Sequence, residues 1–204
     1  MTKETRGVIL AKKPKKSKFR KENLYQEMRC VKCVLVGDES VGKSSLLLRY
    51  TTDIFTEQKI ESVLDNYCAH IYTGGCHYNL LLWDVTGNES FKRMRPIAYA
   101  QTDVFLLCFS LDSPSSLESV CDKWNFEVKK SVPEAKVILV GLKEDLLYKK
   151  QGAQFVCKER TNAVAKMVGA QKYIECSSKT KKNVSKIFQE VARLCSDVEK
   201  EPLP

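Results

Sequence analysis

From Cys30 onward the chain alternates short apolar runs with longer stretches whose apolar residues recur every three or four positions. CVKCVLVG is a β-branched run closed by glycine, with a polar loop and then SSLLLRY behind it, so it predicts strand, loop and helix in that order. Residues 67–73 and 76–83 read as two strands separated by Gly74-Gly75, a connection with the backbone freedom of a tight hairpin, and they are expected to pair antiparallel. DVFLLCF and KVILVG have the length and unbroken apolarity of buried strands, and YIECS is a shorter one. Helices are expected near 115–130, 158–168 and 184–198. The alternation implies an α/β domain: a mostly parallel six-stranded sheet with one antiparallel edge strand and helices on both faces. Ligands of such sheets bind beyond the carboxyl ends of the strands, so a motif of interest should follow a strand.

Composition narrows the class. With 204 residues, 43% hydrophobic and 29% charged, the chain suits one well-cored domain with tails. No run approaches the roughly 18 to 20 apolar residues that span a bilayer, and the basic start has no apolar stretch with a cleavage site behind it, so neither a membrane-spanning nor a secreted protein is expected. The nine cysteines are odd in number and mostly sit in apolar runs, as Cys108 does, which fits a reduced, cytoplasmic setting. Charge is uneven: residues 1–29 hold ten Lys and Arg against three Glu, a net +7 of the chain's +9. The densest part, KKPKKSKFRK over 12–21, lacks the apolar surface that would offset its ordering entropy. Residues 1–28 are therefore expected to be a disordered basic arm, ahead of a domain over 29–198 and a tail over 199–204. The arm's charge suits an anionic membrane, a nucleic acid or a nuclear import receptor, and equally a solvated tail without a partner.

Gly37-Asp38-Glu39-Ser40-Val41-Gly42-Lys43-Ser44 matches G-x-x-x-x-G-K-[ST] after a strand and at the opening of a helix. Glycines let successive N–H groups turn toward phosphate oxygens, Lys43 brings a cation to the terminal phosphates, and the Ser44 hydroxyl can ligate Mg²⁺. The nucleotide-binding residues expected from this loop are Gly37, Ser40, Val41, Gly42, Lys43, Ser44 and Ser45. After the strand LLLWD stands Asp84-Val85-Thr86-Gly87. The aspartate can hold a magnesium-bound water, and the N–H of Gly87 can meet a γ-phosphate. D-x-x-G is common by itself; the phosphate loop ahead of it gives it meaning.

With these motifs the chain resembles the small GTPases of the Ras superfamily, and FKRMRPIAYAQTDVFLLCFSLDSPSSLESVCDKWNFEV is similar to the Rho/Rac branch. Asn66-Tyr67, SPSSLE, KW and YIECSSKTKKNV extend the likeness over about 29–198. The resemblance implies a P-loop NTPase fold, GTP or GDP with Mg²⁺ as ligands, a monomer, effector proteins engaged through two switch segments, and exchange factors. Leu142-Lys143-Glu144-Asp145 corresponds to the guanine-reading [N/T]-K-x-D: Asp145 would accept two N–H bonds from guanine and Lys143 would lie over the base, whereas Leu142 departs from the pattern and removes a polar side chain. Ser177-Ser178-Lys179 corresponds to S-A-K, with the Ser178 N–H at the base carbonyl. Phe55 matches the aromatic at the guanine edge, and Ser62 stands where the first switch carries a Mg²⁺-binding threonine. Lys59 replaces a tyrosine that closes over the phosphates, and the extra helix of Rho proteins is expected to shrink to about 147–155.

Two departures fall on hydrolysis. Glu39 occupies a glycine position beside the γ-phosphate, and Asn88 occupies that of the glutamine that orients the attacking water, so GTPase activity is expected to be weak or absent. Two functions stay open: a Rho-like switch held largely in its GTP form, and a pseudo-GTPase interaction module that binds nucleotide poorly because of Leu142 and Glu39. Nucleic-acid binding through the arm is the more distant third. Cys30-x-x-Cys33 reads as packing, because residues three apart on a strand face opposite sides, and His70 and His77 read as surface strand positions. Residues 201–204 carry no cysteine four from the end, so prenylation is not expected, and Cys195 is expected inside the last helix. The cytoplasm is the expected location, with the arm permitting membrane association or nuclear entry.

Overall fold

The computed structural model describes residues 28–148 and 155–196. Residues 1–27 of the expected arm, the tail and most of the expected short helix over 147–155 lie outside them. Six strands, β1 (Arg29–Val36), β2 (Leu64–Thr73), β3 (Cys76–Val85), β4 (Val104–Ser110), β5 (Lys136–Leu142) and β6 (Lys172–Glu175), form one sheet in the order β2-β3-β1-β4-β5-β6. Every neighbouring pair is parallel except β2–β3. Gly74 and Gly75 both have positive φ, 59° and 78°, as a two-residue hairpin turn requires. The edge strand β2 starts three residues before the expected position, because Leu64 to Asn66 pair through their backbone with Val85 to Trp83 whatever their side chains.

Helices cover both faces, which is why β4 is buried at every residue and β5 at all but Lys136. Side chains of β1 divide between the two layers: Cys33 and Leu35 join a core with Leu46 and Leu47 of α1 (Lys43–Thr52), while Val34 and Val36 face the other core. The first core is closed by Ile187, Phe188 and Val191 of the last helix, where Tyr50 stacks on Phe188 at 3.8 Å between ring centroids. The second takes Leu117, Val120, Trp124 and Val128, with Val164 and Val168 beside them.

Two helical expectations are refined, and two short elements were not foreseen. A 3-10 turn at Glu89–Phe91 and the short α2 (Arg95–Tyr99) follow β3, and neither is long enough to show an apolar period. The helix expected over 115–130 is α3 (Pro114–Ser119), a π turn over Val120–Trp124 and α4 (Asn125–Ser131) in unbroken succession. After α5 (Lys158–Met167), α6 (Val184–Leu194) ends four residues early, and Cys195 is its C-cap rather than an interior residue. Among the described residues no helix is long and apolar enough to cross a membrane.

Candidate functional site

The loop that leaves β1 can be built only on glycine at its first position. A Cβ on Gly37, where φ is 152°, would fall 2.2 Å from the Cys108 carbonyl oxygen of β4. The Val41 side chain is buried in the first core and anchors the loop from beneath, so its contribution to a ligand is restricted to its backbone. Gly42, at φ 114°, opens α1. Lys43 is 6% exposed, and its Nζ donates to the carbonyls of Gly37 at 2.7 Å and Asp38 at 2.8 Å. An ammonium has three N–H donors, so one stays available to a ligand. Burial lowers the Lys43 pKa, and Asp84, Cys108, Asp38 and Glu39 oppose that shift.

Ser44 Oγ donates to Asp84 Oδ2 at 2.5 Å. Asp84 is 1% exposed, and its other oxygen, Oδ1, is buried without a hydrogen-bond partner, as is the Ser62 hydroxyl. Such an orphaned acceptor costs about 1 to 3 kcal/mol, which a cation would relieve. Among the described residues no group of three or more His, Cys, Asp or Glu could hold a metal alone. One carboxylate and one hydroxyl suit Mg²⁺, which completes its shell with water and substrate phosphates. A bond of 3.1 Å from Thr86 N to Val63 O carries Ser62 beside the end of β3, although Ser62 does not reach the cavity. Gly87 seals this side: a Cβ there would lie 2.5 Å from Glu39 N and 2.6 Å from Gly37 O, so D-x-x-G and the phosphate loop touch backbone to backbone.

A cavity of about 460 Å³ opens beyond the strand ends. Ser40, Gly42, Lys43, Ser44 and Ser45 line one end, Lys143, Asp145, Ser178 and Lys179 the other, and residues 55–60 wall it, Phe55 and Lys59 among them. The residues singled out in the sequence thus meet in one cavity with Thr56 to Gln58, Ile60 and Leu146, which carry no motif and were missed. Gly37, Val41, Asp84, Gly87 and Ser177 do not line the cavity, Asp84 reaching it only through its bond from Ser44. Ser177 is fully buried behind Asp145, to whose Oδ1 its hydroxyl donates at 2.6 Å, while its Oγ accepts from Thr180 N at 3.1 Å. It therefore orients the carboxylate instead of touching a ligand. Leu142 packs toward the phosphate loop, where a Cβ on Gly42 would meet its Cδ1 at 3.8 Å. An apolar contact thus stands where the [N/T]-K-x-D pattern has a polar side chain. The two base-side loops are tied instead by Lys182 Nζ to Glu144 Oε1, 2.5 Å, and by Glu144 N to Cys176 O, 3.0 Å.

Residues 53–57 are drawn onto the same loops. Lys179 pairs with Glu57, its ammonium 5.9 Å from the Phe55 ring centroid, and Lys181 pairs with Asp53 at 2.8 Å. These are exposed pairs, individually weak and sensitive to salt.

The two positions expected to govern hydrolysis lie outside the cavity lining. Glu39 is exposed. Asn88 caps the 3-10 turn, its Oδ1 accepting from Ser90 N at 2.8 Å, and its carbonyl accepts from Arg95 Nη1 at 3.1 Å. Arg95 was not anticipated. It is 1% exposed and forks onto Glu127 at 2.7 and 2.8 Å, and Tyr99 donates to the same carboxylate at 2.8 Å. Trp124, fully buried, donates its indole N–H to Asp38 Oδ1 at 2.8 Å. A lone arginine in RPIAY and a tryptophan after lysine carry no local sign of these partners.

A phosphate-cradling loop, an oxygen pair for a hard cation and a carboxylate at the far end of the cavity together accommodate a nucleoside polyphosphate. The protein-family model described as the Ras family matches residues 32–197.

Proposed function

Since the chain belongs to the Ras family of small GTP-binding switch proteins, we propose that it is a Rho-like member that binds GTP and GDP with Mg²⁺ in preference to ATP, hydrolyses GTP weakly or not at all, and signals through its GTP form. The observation that carries this reading is the cavity whose two ends differ in chemistry: Lys43 and Ser44 at one, the Ser177-oriented carboxylate of Asp145 at the other. Asp145 accepts from guanine N–H groups and repels the acceptor that adenine presents there. Lys143 covers the base, the Ser178 N–H meets its carbonyl, and Lys43 holds the terminal phosphates. Mg²⁺, held by Ser44 and the orphaned oxygen of Asp84, neutralises phosphate charge when bound. Residues 53–63 and 86–95 form the surface offered to effectors and exchange factors. Glu39 and Asn88 leave the attacking water without its usual orienting glutamine and with a carboxylate nearby.

Calorimetry with GTP, GDP and ATP in Mg²⁺, joined to identification of the nucleotide released on denaturing the purified protein, tests this. Micromolar or tighter binding of guanine nucleotides alone is expected. No guanine-nucleotide binding would put the pseudo-GTPase reading in its place, for which Leu142 at the base end is the motivating residue.

The basic arm is proposed to hold the protein on anionic membranes, at about 1 kcal/mol per basic residue near the surface. Reversing the charges over 12–21 is expected to abolish sedimentation with phosphatidylserine vesicles while leaving nucleotide affinity intact, and raising salt should weaken the unmodified protein's binding. Vesicle binding that survived the reversal would refute this role.

A further inference from the structure

We propose that Trp124 is a positioning residue for nucleotide binding: its indole N–H fixes Asp38 of the phosphate loop, and the same ring is the surface on which the segment after D-x-x-G is fastened. The inference rests on the guanine-nucleotide reading above and goes beyond it, because Trp124 does not line the cavity.

The ring sits at the end of the π turn between α3 and α4. A single π turn inserts one residue into a helix and redirects the side chains that follow, and such turns recur at functional sites. Trp124 reaches 86 residues back along the chain to Asp38 Oδ1. No other side chain hydrogen-bonds the Asp38 carboxylate among the described residues. The Asp38 carbonyl in turn accepts from Lys43 Nζ, so one residue joins the indole to the phosphate-binding ammonium. Over the ring lie two cations, Lys123 with its Nζ 4.0 Å from the centroid and the Arg95 guanidinium at 4.9 Å. Glu89 pairs with both, at 3.6 Å from Arg95, and Arg95 donates to the Asn88 carbonyl. Loop and switch segment are thus fastened to one buried aromatic, the first at its N–H and the second through the cations over its ring.

A buried tryptophan always seeks a partner for its N–H, and filling the second core is a sufficient reason for the ring. The choice of partner is what core filling leaves unexplained. A charged acceptor in the phosphate loop makes the bond stronger than one to a neutral carbonyl, and it adds to the Val41 anchor a second tie at the loop's other end.

The test is a double-mutant cycle on full-length protein, reading dissociation of a fluorescent GDP analogue in Mg²⁺ for wild type, Trp124→Phe, Asp38→Ala and the pair. Phenylalanine keeps an aromatic in the core and removes the N–H. Each single change is expected to speed release about tenfold, the low end for a hydrogen bond to a charged group. The pair should release no faster than either alone, because both remove one bond. Asp38→Asn, which keeps an acceptor, should recover most of what Asp38→Ala loses. A pair that releases about a hundredfold faster, the product of independent effects, would overturn the proposal, as would a Trp124→Phe protein with unaltered release. Should Trp124→Phe unfold, the contrast between Asp38→Ala and Asp38→Asn decides, equal release from the two refuting the bond. Wild-type protein that binds no guanine nucleotide overturns both readings; binding with an additive cycle overturns this one alone.

Discussion

Asp145→Asn is expected to turn the protein from a guanine binder into a xanthine binder. Ser177 sets the direction of that change, because its hydroxyl donates to Oδ1 at 2.6 Å and so selects the amide oxygen for that position in the variant. The amide nitrogen then takes the place of the other carboxylate oxygen and presents N–H to the base. Guanine offers N–H at that edge, so donor faces donor; xanthine offers a carbonyl oxygen and is satisfied. An unpaired buried polar group costs about 1 to 3 kcal/mol, and two N–H groups, one of guanine and one of the amide, are left without an acceptor, so guanine affinity should fall by roughly 10²- to 10⁴-fold. Competition calorimetry between GDP and xanthosine diphosphate reads the ratio directly. An unchanged ratio would mean that Asp145 does not read the base.

Glu39→Gly together with Asn88→Gln is expected to restore a slow intrinsic GTPase and sensitivity to an activating protein that inserts an arginine, a contribution worth up to roughly 10⁵-fold in rate in this class of enzyme. Two unit charges about 4 Å apart interact by roughly 4 kcal/mol at an effective dielectric near 20, so a Glu39 carboxylate turned toward the γ-phosphate would weaken GTP and disfavour the charge that develops in the transition state. Its exposed position lets it turn away in the absence of ligand. Asn88 has a second reason to resist the single change. Its short side chain caps Glu89–Phe91 through Ser90 N, and glutamine, one methylene longer, gives up that cap at about 0.5 to 2 kcal/mol of local stability. Each substitution alone should therefore recover less than the pair, and the effects should not add, because both groups serve one transition state. Single-turnover hydrolysis of bound GTP decides it. Wild-type turnover as fast as the double variant's would show that neither residue disables the chemistry.

The parts of this protein that are legible in its sequence alone are those whose determinants lie close together along the chain. A phosphate loop consists of consecutive backbone N–H groups, so eight adjacent residues from Gly37 to Ser44 specify it. Unbroken apolar runs such as VFLLCF declare a strand covered on both faces, and Gly74-Gly75 declares a turn, because sterics act between neighbours. Six strands and their one antiparallel pair followed from such local signals, whereas the base-side residues Lys143, Asp145 and Ser178 came from the family resemblance. Where the pattern was silent, the cause was also local: α2 and the 3-10 turn are shorter than two helical turns, too short for an apolar spacing to repeat, and the π turn leaves the apolar spacing of 115–130 nearly intact.

What tertiary structure alone decided are the pairings of single polar groups across the fold. Ser177 behind Asp145 is 32 residues away, Glu127 under Arg95 is likewise 32, and Trp124 on Asp38 is 86. Each partner is ordinary in its own stretch of sequence, and a buried charge is tolerable only once the opposite charge or a hydrogen bond reaches it. The same holds for Asn88, whose side chain is occupied by the turn it begins, and for Ser62, which the backbone pairing beside β3 keeps out of the cavity. Motifs named the chemistry because backbone geometry is local; which side chains orient it depended on burial, and burial exists only when the sheet and its helices have closed on one another.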